Sequence, residues 1–186
     1  MPKISDERRR ERRTDILEAA RRCFARYGYE GATVSRLEEA TGVSRGAIFN
    51  YFANKEALFV EIAIASSARL TALWLAHGFR ALLEAIVHED PDWLSVQLEA
   101  TRRVRTDPEF RRLVEEREQE LVGGREERFA RLRPQVRDDV PLETIAVFLS
   151  LVANGLALRQ SLDDPHPDLD QLAELVETGV GRRSPR

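Results

Sequence analysis

The chain has 186 residues, 42% of them hydrophobic and 33% charged, which suits a compact globular protein with a core of its own. One cysteine, Cys23, and three scattered histidines, His77, His88 and His166, exclude an internal disulfide framework and a multi-cysteine zinc site. The charged start, MPKISDERRRERR, has no signal-peptide core, and no apolar run approaches the roughly 20 residues of a membrane span, so a cytoplasmic protein without a membrane partner is expected.

The formal net charge of −3 hides an asymmetry. Residues 1–60 carry a net of +3 and residues 61–186 a net of −6. A basic end on an acidic body assigns any polyanion partner to the first third.

Taken in chain order, every element reads as a helix, with no sustained period-2 alternation and no Asn-Gly or Asp-Gly hairpin signal. The first runs from about residue 6 to Tyr27 on a stripe of Ile16, Leu17, Ala20, Cys23, Phe24 and Tyr27, and Gly28 stops it. Thr33 caps a short helix over Val34 to Ala40, and Ser44 caps another over Arg45 to Tyr51. Asn54 opens a long helix from Lys55 to about Ala76, followed by a segment from Phe79 to His88. Asp92 can cap a helix to Arg105, and Asp107-Pro108 opens one that reaches about Arg133. Pro141 opens a helix to about Leu162, and Asp168 caps the last, to about Val180. The fold class is all-α, with nine helices.

The Pro141 helix holds IAVFLSLVANGLAL, apolar nearly all round, and so needs burial on more than one side. Either it is a central helix of the monomer, or its second face meets another copy, with Ala153 and Gly155 allowing close approach. In the second reading the seam uses Phe148, Leu149, Val152 and Leu156, with Leu172 and Val176 from the last helix.

Residues 33–52, TVSRLEEATGVSRGAIFNYF, have the requirements of a helix-turn-helix. The first short helix is expected to bury Val34, Leu37 and Ala40, Gly42 makes the bend, and Val43 plugs it. The second is expected to bury Ile48 and Tyr51 or Phe52 while presenting Ser44, Arg45, Gly46 and Ala47. In such units the N-terminal residues of the second helix reach base edges in the major groove.

The stretch ILEAARRCFARYGYEGATVSRLEEATGVSRGAIFNYFANKEALF resembles the DNA-binding domain of TetR-family transcriptional regulators over roughly residues 10–70. The markers are Gly28, Tyr29, Thr33 and Val34, the A-x-x-x-G-V-S-R-G-x-I-F-x-Y-F core, and Lys55, Glu56, Leu58 and Phe59. The resemblance implies a DNA-binding domain over 1–54, an effector-binding and dimerisation domain over 55–186, and a homodimer, built by the last two helices, on a palindromic duplex operator. It places Ser44, Arg45, Gly46 and Ala47 at the base-reading turn and Asn50 and Tyr51 against backbone and neighbouring bases. Thr33 and Lys55 would clamp phosphates. Arg45 suits a guanine edge, with a phosphate contact as the alternative. Arg8 to Arg13 read as a basic arm, with Arg13 among the DNA contacts, or as a solvated face.

No Gly-rich phosphate loop, HExxH motif or nucleophile elbow is present, so no enzyme is expected. Cys23 lies on an apolar stripe, and the carboxylate pairs Glu38-Glu39 and Glu115-Glu116 read as solvated faces.

Arg128 and Glu177 fall on the inner flanks of their helices, where each needs a partner, a ligand or a metal. One ion pair between them would satisfy both. The sequence up to DWLSVQLEATRRVRTDPEFR, residues 92–111, is similar to the aconitase-repressor group of the TetR family. That group implies a citrate-type effector held with Mg²⁺, no other cofactor being required, with Arg128 on the tricarboxylate, Glu177 on the metal, and Phe79 and Arg80 beside the ligand. Leu132 stands where the group has an asparagine contact, which leaves room for a different ligand. An apolar drug-like or acyl effector, and an interaction module that has lost DNA binding, are the alternatives.

Overall fold

The computed structural model describes residues 6–122, 130–131, 133–162, 165 and 167–181. Residues 123–129, Arg128 among them, and Leu132 lie outside the described residues. Eight α-helices are described: α1 Asp6–Gly31, α2 Val34–Thr41, α3 Arg45–Phe49, α4 Lys55–Val87, α5 Pro91–Thr106, α6 Pro108–Val122, α7 Leu142–Ser161 and α8 Leu169–Val180. A 3₁₀ turn, Arg133–Gln135, precedes α7, and no strand occurs among the described residues. The expected Phe79 helix is the second arm of α4. Gly78, at φ 82° and ψ 177°, breaks the helical path in a region that a side chain adopts only under strain, and the described residues show eight helices where nine were expected.

The capping residues account for most of the boundaries. Asn54 Oδ1 accepts from Ala57 N at 2.7 Å, and Asp107 Oδ1 accepts from Glu109 N and Phe110 N. The cap of α5 is Asp90 rather than Asp92: Pro91 takes the first helical position, where its missing N–H costs nothing. α1 runs past Gly28 to Gly31, with a non-helical residue at Gly28.

Two cores share α4. The upper one gathers Ile16, Ala20, Cys23 and Phe24 from α1, Leu37 from α2, Ile48 from α3, and Leu58, Phe59 and Ile62 from the first arm of α4. Trp93 and Val96 of α5 and Phe110 of α6 complete it. Phe59 is its hub, with ring centroids 5.2 Å from Phe24, 5.1 Å from Tyr29 and 6.2 Å from Trp93. The lower core joins Trp74, Phe79, Leu82, Leu83 and Ile86 of α4 to Ile145, Leu149 and Leu156 of α7 and Ala173, Val176 and Val180 of α8.

Several expectations are corrected here. α4 and α7 are long and apolar enough to cross a membrane by length and composition. For α4 the reason is that its apolar residues feed both cores. On α7, Leu149 and Leu156 face the monomer's own core, as does Val176 of α8, so these three are not seam residues. Val152 and Leu172 are half-buried. The outward stripe is Val147, Phe148, Leu151 and Leu158, with Leu151 at 66% exposure against 5% for Leu149. The wide apolar band of α7 therefore has one face inside and one outside, which period alone could not assign. In the head, Ala40 and Tyr27 are exposed rather than buried. Tyr27 is instead covered by the Arg36 guanidinium, 4.2 Å from its ring centre.

Candidate nucleic-acid interface

The turn between α2 and α3 is built from backbone hydrogen bonds and two caps. Thr33 Oγ1 accepts from Arg36 N at 3.4 Å at the start of α2, and Leu37 anchors that helix with no exposure. Gly42, at φ 66°, turns the chain in a left-handed conformation, and its N–H bonds to Glu38 O at 2.9 Å. Val43 packs half-buried on the head core. Ser44 Oγ then accepts from Ala47 N at 3.3 Å, and α3 follows with Ile48 and Phe52 buried beneath it.

Burying Ile48 and Phe52 fixes which residues point outward. Ser44, Arg45, Gly46 and Asn50 are exposed, while Ala47 and Tyr51 are half-buried. A Cβ built on Gly46 meets nothing within 4 Å, so the first turn of α3 is a low, open surface. The Arg45 guanidinium lies 5.9 Å from the Phe49 ring centre and is exposed to a partner. Arg9 lies over Tyr51, 5.7 Å from its centre.

Other expected contacts are engaged inside the chain. Lys55 Nζ donates to Tyr29 O at 2.8 Å and sits 4.4 Å from that ring, which ties the start of α4 to the end of α1. Thr33 is exposed but its hydroxyl is the α2 cap. Arg8 to Arg12 lie on the opening turns of α1, ahead of its apolar stripe. Arg13 is corrected: its guanidinium turns inward onto Glu61 and lies 5.1 Å from the Phe52 ring centre. A carboxylate 4% exposed demands a cation, and Arg13 is the one within reach on α1.

Three acid-centred joints tie this head to the body. Glu61 of α4 pairs with Arg13 of α1 and has Arg117 of α6 at 3.9 Å. Burial pushes the Glu61 carboxyl above the ordinary carboxylate range, against the pull of both arginines. Arg103 of α5 bonds Glu56 at 2.6 Å and Asp107 at 3.1 Å, with Tyr29 and Phe110 rings at 4.9 and 4.2 Å. Glu89, in the α4–α5 turn, is held by Arg21 of α1 and by Arg69 at 2.7 Å. Arg21, Arg69 and Glu89 also line a cleft of about 540 Å³ between α1 and α4.

Of the expected effector residues, Phe79 and Arg80 follow the kink of α4 at Gly78, Glu177 approaches it from α8, and Arg128 lies outside the described residues. Phe79 is buried against Trp74, centroids 5.9 Å apart, so it belongs to the lower core and is not open to a ligand. Arg80 is exposed and pairs with Glu84 and Asp170. Glu177 is exposed rather than buried, and its Oε1 lies 3.7 Å from where a Cβ on Gly78 would stand. Among the described residues no three potential metal ligands cluster.

Cys23 is buried, which pushes its thiol up and keeps it unreactive. The sequence reading missed three groups: Glu38, which is half-buried and whose Oε1 accepts from Arg45 N at 2.6 Å; Glu61; and Arg9 on Tyr51. Glu38 and Glu39 had looked alike, yet only Glu39 is fully exposed. The signal was available only in three dimensions, since the turn must fold before residue 38 meets residue 45.

Comparison with known proteins bears on both halves. Residues 16–62 match the family of bacterial regulatory proteins of the tetR type, and residues 69–184 match the C-terminal domain of BetI-type transcriptional repressors. An HTH-type transcriptional repressor of Mycobacterium tuberculosis is 40% identical over 98% of this chain and 100% of its own length. The HTH-type transcriptional repressor AcnR of Corynebacterium efficiens is 43% identical over 91% of this chain and 93% of its own. The solved structure of Salmonella enterica GusR superposes with a TM-score of 0.63 at 19% identity, covering 95% of this chain and 98% of that one.

Proposed function

We propose that this chain, which belongs to the TetR family of bacterial regulatory proteins and is a DNA-binding transcriptional repressor rather than an enzyme, works as a cytoplasmic homodimer that represses an aconitase gene and answers to a tricarboxylate. The observation that carries this reading is the reach of the likeness: relatives named as repressors, AcnR among them, match through the effector region as well as the head. Two heads on a dimer would meet a palindromic duplex, with half-sites about 34–36 Å apart. The outward stripe of Val147, Phe148, Leu151 and Leu158 on α7, with Leu175 on α8, is the surface that a second copy would cover.

The effector reading rests on the kink at Gly78. Glu177 reaches that kink, and Arg80 beside it is a guanidinium able to fork onto a ligand carboxylate if Asp170 or Glu84 yields. Arg128 supplies the second cation in this proposal. Mg²⁺ would be shared by Glu177 and the ligand, and would neutralise part of the tricarboxylate's charge. The ligand shifts DNA affinity only by the amount it favours one spacing of the heads over another.

The test is fluorescence anisotropy with a duplex from upstream of the organism's aconitase gene, against a scrambled duplex, with and without citrate and Mg²⁺. Salt-sensitive preference for the first duplex, changed by citrate with Mg²⁺, is expected. Equal affinity for both duplexes removes the aconitase target, and indifference to citrate removes the tricarboxylate.

A further inference from the structure

The turn of the helix-turn-helix is held at both ends by one residue. Glu38 O accepts from Gly42 N at 2.9 Å, which closes α2. Glu38 Oε1 accepts from Arg45 N at 2.6 Å, at the first residue of α3. Ser44 Oγ already serves the Ala47 N–H, so the two caps divide the donors at that helix end. The Glu38 bond is charge-assisted and short, and such bonds are roughly twice as strong as neutral ones. It also reaches across the turn: backbone bonds within α3 cannot set its angle to α2, whereas a side chain from α2 can.

We propose that Glu38 is the positioning residue of the base-reading helix and a charge that restrains its affinity for any DNA backbone. Its carboxylate fixes the posture of α3 on α2, so that Arg45 and Gly46 meet the groove at one angle. The same negative charge stands at the DNA-facing end of α3, among Ser44, Arg45 and Gly46. There it opposes phosphate, which cognate and non-cognate duplexes offer alike. The charge therefore lowers affinity for every duplex by one factor, and discrimination rests on the posture of α3 that the bond from Arg45 N fixes. This inference rests on the DNA-binding head alone and is independent of the effector proposed above.

The experiment uses the full chain and two duplexes: one selected by the wild type from a randomised pool, and a scrambled one of equal composition. Glu38→Gln keeps an acceptor for Arg45 N and removes the charge. Glu38→Ala removes both, and thermal melting checks that each variant is folded. Glu38→Gln should bind both duplexes about fivefold tighter at low salt, the scale of one exposed charge pair at close range, and the gain should shrink as salt rises. Its ratio of selected to scrambled affinity should stay at the wild-type value, because the acceptor for Arg45 N is kept. Glu38→Ala should show the same gain on scrambled DNA and a lower ratio, because α3 is no longer held. No gain on scrambled DNA in Glu38→Gln overturns the charge role, and a wild-type ratio in Glu38→Ala overturns the positioning role. If Glu38→Ala does not fold, Glu38→Asp, which keeps the charge on a side chain one methylene shorter, decides the positioning role: a lower ratio with unchanged affinity for scrambled DNA supports it, and a wild-type ratio contradicts it.

Discussion

The head and the lower bundle hang on the same helix, α4, and both bury an apolar core, yet their outer faces differ in kind. The head is ringed by cations: Arg9, Arg36 and Lys55 stack on tyrosines, and Arg45 stands open on α3. The lower bundle turns Leu151, Leu158 and Leu175 outward instead. A face of arginine over aromatic rings keeps its charge available to a polyanion, and a face of leucine is stable only against another apolar surface. The same helical fabric thus makes two kinds of face, one of cations on the DNA-binding head and one of exposed leucines on the lower bundle. The joints that tie the head to α4, α5 and α6 are neither: Glu56, Glu61 and Glu89 are acids paired with arginines.

The sharpest contrast lies two residues apart on α7. Leu149→Ala should cost about 2–5 kcal/mol by thermal or denaturant unfolding, because it opens a hole in the lower core. Leu151→Asp should leave the fold intact and shift the chain to monomer in sedimentation. A Leu151→Asp chain that remains dimeric would break the assignment of the outer face.

Next in size is the joint at Glu61. Arg13→Met should cost about 1–3 kcal/mol at neutral pH by leaving a buried carboxylate short of a partner, and less in acid, where the carboxyl is protonated. The raised Glu61 carboxyl means that the folded chain keeps this proton to higher pH than the unfolded chain does. The stability that this group contributes is therefore full below the ordinary carboxylate value and is lost as pH rises through the raised one. Glu61→Gln should flatten that part of the melting-temperature profile. If the two profiles run parallel, the carboxyl is not shifted.

On the head's outer face, Arg45→Ala should lose about 1–3 kcal/mol of preference for a selected duplex over a scrambled one, measured by competition. An equal loss on both duplexes would make Arg45 a phosphate contact. The smallest effect expected is at the joint of head and stem: Asn54→Ala should cost about 1 kcal/mol of stability by removing the cap of α4.

Much of this was legible in the chain. The caps at Thr33, Ser44, Asn54 and Asp168 and the bend at Gly42 follow from short polar side chains and glycine, whose effects are local. The turn between α2 and α3 was legible for the same reason. What failed was the direction of faces. In α7, apolar residues occupy most of the circumference, so Leu149 and Leu151 could not be told apart until α4 and α8 were packed on one side. Arg13 looked like a DNA contact because it sits in an arginine run, and only the buried Glu61, 48 residues on, turns it inward. Glu177 looked buried by period but lies at the edge, over a kink that the sequence marks only with Gly78.

The central claim is that two copies, joined through the outer face of α7, present two α3 helices to one duplex. Selection of duplexes from a randomised pool by the full chain, followed by sequencing, tests it most directly. The expected result is an inverted repeat whose half-sites lie about 10 base pairs apart, or a multiple of that, centre to centre. An enriched single half-site without symmetry, or no enriched motif at all, would contradict it.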